Sequence, residues 1–371
     1  MLSEIHTLSS LSAPQRTFGT RGLPSATRVR DETFWDSYDN DTLIYDCVAL
    51  QNRGLVRLFM PKLLNFKDTM LSAQILIDGI PAKRRRFTEN LKFDILDFHS
   101  NTSAKEIAIN TRCTKISVAI NPSNPSRYAG RNVLYTQVKN DDLKWIYDWG
   151  VAHQRNHGVD SILVTNNGSN AYSSEDLRQT LAQIPGLSVA DVLEVPQSHG
   201  ARPTTCNGAG ATKFLQPALL NLVRDRFFHD ARAVLLCDID ELVQSPARQS
   251  IFDATVGSTL KYKTFYGVWR YAQNEGSSIS HSDHVLARGT DKKCASKYCV
   301  VPQSLLGRMT WGVHSLEKIN RHIFRPFNSF SFIHCRQIST SWKVDRTARP
   351  NTTLYVDAQT RKFMADTFSR S

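Results

Sequence analysis

Three acids, Asp238, Asp240 and Glu241, follow directly on the apolar run Ala233-Val234-Leu235-Leu236-Cys237. A short apolar run bounded by polar residues reads as a buried strand. Carboxylates crowded at the end of such a strand repel one another unless a cation joins them. In extended chain the side chains alternate with period two, so Asp238 and Asp240 are expected to face one side. Two carboxylates on one side suit a hard divalent cation, Mn²⁺ or Mg²⁺. Such a cation neutralises a diphosphate and assists its departure. A solvated acidic turn is the simpler account of Asp-x-Asp alone; the buried strand before it favours the metal.

Two histidines compete to complete that site. His314 stands in Trp311-Gly312-Val313-His314 and His334 in Phe332-Ile333-His334-Cys335-Arg336. A lone histidine beside apolar residues is commonly a core residue, yet imidazole also serves Mn²⁺. His334 is the first choice as the non-acidic ligand and His314 the substitute. Arg336 and Lys343 follow closely, and cations there suit a departing diphosphate. Two polar runs lie after other strand-like segments: Lys139-Asn140-Asp141-Asp142 and Asn166-Asn167-Gly168-Ser169-Asn170. They are helix-cap and turn formers first. Lys139, Asn140, Asp141 and Asn167 are nonetheless the candidates there for contacting a nucleotide.

The elements that must position these residues alternate. A strand from Val133 to Val138 leads into a helix that Asn140 can cap and Gly158 ends. Ser161–Thr165 is the next strand. A helix carrying Leu177, Leu181 and Ile184 on one face follows, with Ser173 or Ser174 as its cap. Asp191–Val195 is a strand, Lys213 to Phe228 a third helix, and 233–237 the strand before the acids. This alternation predicts a mostly parallel sheet in an α/β domain. Right-handed crossovers put the strand ends, and hence the ligand, on one edge.

The stretch before it has a different grammar. Residues 1–30 read as a flexible tail rich in Ser, Thr, Pro and Gly. From there to residue 126 short strand-like runs, among them Leu55–Phe59 and Ile75–Ile77, predict a small β-rich domain. Asn121–Ser126 reads as a linker, which leaves residues 127–371 for the α/β domain.

Composition narrows the function. The 371 residues are 41% hydrophobic and carry a net charge of +12, and no apolar run approaches the ~18 residues of a membrane span. The start of the chain lacks a signal-peptide plan, so a cytoplasmic protein, at most peripheral to the inner face of the membrane, is expected. Seven cysteines without a Cys-x-x-Cys pair read as reduced thiols. A basic protein seeks anions. The run Lys83-Arg84-Arg85-Arg86 reads as a solvated loop, with an anionic membrane surface as the other reading. No zinc-finger or RNA-recognition pattern accompanies it, so nucleic acid is not expected as a partner.

Taken in order, several segments resemble glycosyltransferase family 92 and its bacterial, family 2-like relatives. Lys139-Asn140-Asp141, then Trp145, Trp149, His153, Gly158-Val159, Asn166-Asn167 and Ser169 are similar to that family's opening. Asp238-Ile239-Asp240-Glu241-Leu242 resembles its D-x-D-E-F element, and Phe265-Tyr266-Gly267 its F-G element. Lys297–Pro302 before His314, and Ile333–Arg336 through Lys343, resemble its closing segments. Asp141, Thr165, Leu242 and Cys335 depart from the family's residues, and the likeness covers roughly Val133 to Arg346. The resemblance implies a GT-A type nucleotide-sugar-binding domain and transfer of a sugar, with inversion, from a nucleotide diphosphate sugar to a hydroxyl of a glycan or glycolipid. It implies Asp238, Asp240, His334 and His314 as metal residues. Lys139, Asn140, Asp141, Asn167, Asp238, Arg336 and Lys343 would face the donor. Asp240 would serve catalysis, with Asp283, Glu317 or Asp345 as the base an inverting enzyme needs. Two other classes use similar parts: a sugar-phosphate or nucleotidyl transferase, and a glycan-binding protein whose transferase domain is inactive.

Overall fold

The structure is a computed structural model and describes residues 1–24, 34–100, 103–201, 212–245, 247–274, 279–319, 329–338, 340, 348 and 350–369. It is a mixed α/β protein with several sheets. The chain divides into two compact units. One comprises 1–6, 126–194 and 228–371; the other comprises 7–125 and 195–227.

The first unit is organised by a seven-stranded sheet. Its strands are β1 (Ile5–Thr7), β2 (Asn132–Val138), β3 (Ser161–Asn166), β4 (Val189–Glu194), β5 (Ala233–Leu236), β7 (Tyr262–Phe265) and β9 (Lys297–Val300). They lie side by side in the order β1-β4-β3-β2-β5-β9-β7. Strands β2 to β5 are mutually parallel, while β9 runs antiparallel to β5 and to β7. All six residues of β3 are buried, as expected of a parallel strand covered on both faces. From β2 the chain steps outward to β3 and β4, then returns to place β5 on the other side of β2. That reversal makes the C-terminal ends of β2 and β5 a topological switch point, the place where open α/β sheets bind ligands.

Helix α1 (Leu143–His157) links β2 to β3, and α2 (Ser174–Ala182) links β3 to β4. Ile146 and Trp149 of α1 and Leu177 and Leu181 of α2 pack with Ile162 and Val164 of β3. The close approach of α1 depends on Gly150, where an added Cβ would stand 2.4 Å from Ile184 Cδ1. Gly158 ends α1 at φ +70 as expected, a left-handed C-cap that glycine adopts without strain. The N-cap, however, is Asp142 and not Asn140. Ser173 caps α2 in a reciprocal capping box with Asp176. A second, three-stranded sheet follows the acids: β6 (Glu241–Gln244), β8 (Gly267–Arg270) and β10 (Ser331–Cys335), with β10 in the middle.

The expected tail is in part ordered. Residues 1–7 run along the outer edge of the sheet, with Ala190 N–H donating to Leu2 C=O and Val192 N–H to Glu4 C=O. Asp191 of β4 fixes them. Its carboxylate accepts from Arg127 Nε and Nη2 at 2.6 and 2.7 Å, from Tyr128 Oη at 2.8 Å and from Glu4 N–H at 2.8 Å. Residues 25–30 of that tail lie outside the described residues.

In the second unit a five-stranded and a four-stranded sheet share one core that includes Leu58, Met60, Phe66, Ile107 and Ile109. The expected linker is structured: Asn121 and Pro122 pair with Val48 and Ala49 at the edge of the larger sheet. The basic run is not a loop. Arg84, Arg85 and Arg86 are exposed on the strand Arg84–Glu89. Helix α3 (Leu215–Arg226), expected within the α/β domain, belongs to this unit. Its buried charges explain that assignment: Asp225 takes Arg57, and Arg226 reaches Asp46 at 2.8 Å, both partners being on the larger sheet. Among the described residues no helix is long and apolar enough to cross a membrane.

Replacing Asp191 with Ala leaves Arg127 a buried charge without its bidentate partner. Unfolding in urea is expected to show a loss of ~3–5 kcal/mol and easier proteolysis of residues 1–7. A loss below ~1 kcal/mol would mean that the pair is held no more tightly than surface charge.

Candidate metal centre

Strand β5 ends at Leu236, and the acids form the turn that carries the chain from the large sheet into the small one. Glu241 N–H donates to Asp238 C=O at 3.1 Å, and the Glu241 carboxylate accepts from Asp238 N–H at 2.9 Å. This closed turn breaks the period of two. Asp238 and Asp240 therefore do not act as the expected pair on one side of a strand. Asp238 faces Lys297, the first residue of β9, while Asp240 faces His334 of β10.

Both contacts are close. Lys297 Nζ lies 2.7 Å from Asp238 Oδ2 and 3.1 Å from Glu241 Oε2. His334 Nε2 lies 2.8 Å from Asp240 Oδ2. His334 stands directly opposite Glu241 in the antiparallel register of β6 and β10. Ligand-capable atoms of Asp240, Glu241 and His334 all fall within 4.8 Å of one another. The backbone is tied as well, with Cys335 N–H donating to Asp240 C=O at 2.7 Å. Trp269 of β8 is the register partner of His334 on its other side. Its ring stacks on the imidazole at 4.0 Å and 19°. The Arg336 guanidinium lies 5.8 Å from the Trp269 ring centre.

The electrostatics follow from burial and these contacts. Burial raises the Glu241 carboxyl against the pull of Lys297, to about 7. Burial alone would depress Lys297, but Asp238 and Glu241 outweigh it and hold the ammonium above its ordinary value. Burial likewise opposes charge on His334, yet the Asp240 carboxylate, by charge and hydrogen bond, pushes it up to about 10. The site thus already stabilises one proton between an imidazole and a carboxylate, where a cation bound by both would stand. Two carboxylates and an imidazole are a hard-to-borderline donor set that fits a divalent ion such as Mn²⁺.

The remaining candidates separate. His314 is exposed and lies outside the acid cluster; its carbonyl accepts from Ser296 Oγ. Asp283 is a structural cap: Oδ2 takes Ser280 N–H and Oγ, and Oδ1 takes Asn274 Nδ2. Glu317 is half-buried, with its N–H on Thr310 C=O. Asn140 adopts φ +58. Its side chain accepts from the amides of Asn170 and Ala171, stapling together the loops after β2 and β3. Asp141 accepts from Lys139 N–H, and Asn167 accepts from Gln137 Nε2. Arg336 is half-buried beside the cluster; Lys343 and Asp345 lie outside the described residues.

Glu241 as a ligand, Lys297 as counter-ion and Trp269 as support were not singled out from the sequence. The signals available were the third acid of Asp-Ile-Asp-Glu and a lysine opening an apolar strand. The chain matches no family model and no curated protein, so the resemblance to glycosyltransferases stands on the order of its own motifs.

Replacing Lys297 with Met leaves Asp238 and Glu241 uncompensated, and urea unfolding should show a loss of ~3–5 kcal/mol. In the wild-type protein, Mn²⁺ at about a hundred times its Kd should add ~2.7 kcal/mol. A Met variant as stable as wild type, with no stabilisation of either protein by Mn²⁺, would reduce the cluster to solvated charge.

Proposed function

We propose that this chain is a divalent-metal-dependent glycosyltransferase with a GT-A type domain. It moves a sugar, with inversion, from a nucleotide diphosphate sugar to a hydroxyl of a glycan or glycolipid. One observation carries this reading: Asp240, Glu241 and His334 converge beside the C-terminal end of β5, at the switch point of a parallel sheet. The match between that position and the motif order of the sequence supports it.

Asp240, Glu241 and His334 would hold Mn²⁺ or Mg²⁺, and a cation held there neutralises the diphosphate and assists its departure. Asp238, turned to Lys297, is better placed as a donor contact than as a ligand. Lys297 favours the ionised form of Glu241 against its burial and orients the carboxylate. The half-buried Arg336 offers positive charge close to the cluster, where the leaving diphosphate gains charge as the glycosidic bond breaks. The stapled loops after β2 and β3 form a rigid rim for the nucleoside, through backbone groups rather than through the Asn140 side chain. Asp283, held as a cap, is the poorer candidate for the base; Glu317 and Asp345 are the carboxylates to test for it.

The test is a donor screen with uridine, guanosine and cytidine diphosphate sugars and either metal. Released nucleoside diphosphate marks glycosyl transfer, whereas nucleoside monophosphate marks transfer of a sugar phosphate. Asp240→Asn should lower turnover roughly 10²-fold or more and leave the circular-dichroism spectrum unchanged. An Asp240→Asn protein with wild-type turnover would contradict the assignment. Tight binding of uridine diphosphate without release from any donor would favour an inactive, glycan-binding domain.

A further inference from the structure

We propose that His153, His157 and His281 are positioning residues that fix the backbone beneath Asp240 and Glu241, and thereby set the geometry of the metal centre. This rests on the metal-dependent reading above. His153 and His157 are four residues apart on α1 and so share one helix face. Both reach a single residue, Val243 of β6. Val243 N–H donates to His153 Nε2 at 3.3 Å, and Val243 C=O accepts from His157 Nε2 at 2.9 Å.

Among the described residues strand β6 pairs with β10 on one side only. Val243 is 1% exposed, so its outward N–H and C=O cannot turn to water, and buried backbone groups need partners. The two imidazoles supply one acceptor and one donor, as a neighbouring strand would. A third histidine acts at the other end of the turn: His281 donates from Nε2 to Ile239 C=O at 2.8 Å. The backbone is then held at 239 by His281, at 240 by Cys335, at 241 by Asp238 and at 243 by the helix pair.

The hydrogen-bond roles fix the protonation of the pair. His153 Nδ1 donates to Trp149 C=O at 2.9 Å, which leaves Nε2 as the acceptor. His157 is the reverse: Nε2 donates, and Nδ1 accepts from Ile251 N–H at 3.3 Å. A second proton on His153 would set N–H against N–H. Burial agrees with neutral rings, pushing His153 down to about 3 and His157 to about 4, and lowering His281. Partners that orient ligands from outside the coordination sphere typically change metal affinity by ~10–100-fold.

The experiment uses the full chain with His157→Leu, His157→Gln and His281→Leu. Mn²⁺ affinity is measured by electron paramagnetic resonance, and amide exchange over 239–244 by mass spectrometry. Both Leu variants should keep a native circular-dichroism spectrum, bind Mn²⁺ ~10-fold or more weakly, and exchange faster over 239–244. His157→Gln, whose amide can donate to Val243 C=O, should recover wild-type affinity to within about threefold. Leu variants with wild-type affinity and exchange would overturn the proposal. If wild type itself binds no Mn²⁺, the metal reading fails on its own. Exchange then decides the clamp: faster in Leu and restored in Gln upholds it, unchanged in Leu overturns it. Should either Leu variant fail to fold, the other decides.

Discussion

Three carboxylates, Asp238, Asp240 and Glu241, are gathered in one tight turn at the end of a buried strand, and their mutual repulsion must be met by positive charge. That requirement organises the surrounding unit. Lys297 comes from the antiparallel strand beside β5, and His334 from the centre of the small sheet. Each cation enters on a different element, so the charge of the acids is met from both the large and the small sheet. Trp269 backs His334, and the turn itself is closed by the carboxylate of Glu241.

Charge balance then suggests how the site works. With Lys297 and a protonated His334, two positive charges face three carboxylates, and burial, with Asp238 and Asp240 adding to it, raises the Glu241 carboxyl to about 7. A divalent ion that displaces the His334 proton would give one ammonium and two metal charges against three carboxylates, a neutral cluster. Buried charge is tolerated when it is paired and hydrogen-bonded. The metal-bound arrangement therefore meets that condition more fully than the protonated one.

Much of this was legible in the sequence, and for identifiable reasons. Strand–helix alternation from Val133 onward, the stop at Gly158 and the cap at Ser173 are local signals, and they correspond to β2 to β5, α1 and α2. The choice of His334 over His314 agrees with the burial of the first and the exposure of the second. What was not legible depends on distant partners. Period two failed at Asp238 because a side chain downstream closes the turn. Lys297 becomes a counter-ion only through the pairing of β9 with β5, nearly sixty residues away along the chain. Helix α3 reads as part of the α/β alternation, yet its buried Asp225 and Arg226 find their partners on the five-stranded sheet of the second unit, to which the helix itself belongs. Asn140 has the composition of a helix cap, but a left-handed backbone turns its side chain to a neighbouring loop.

The central claim is that a divalent cation is held by Asp240, Glu241 and His334. The most direct measurement is pulsed electron paramagnetic resonance of Mn²⁺ bound to protein carrying ¹⁵N-labelled histidine. A hyperfine coupling to one imidazole nitrogen, absent in His334→Ala and retained in His314→Ala, is the predicted result. Bound Mn²⁺ with no nitrogen coupling, or with a coupling that survives loss of His334, would contradict it.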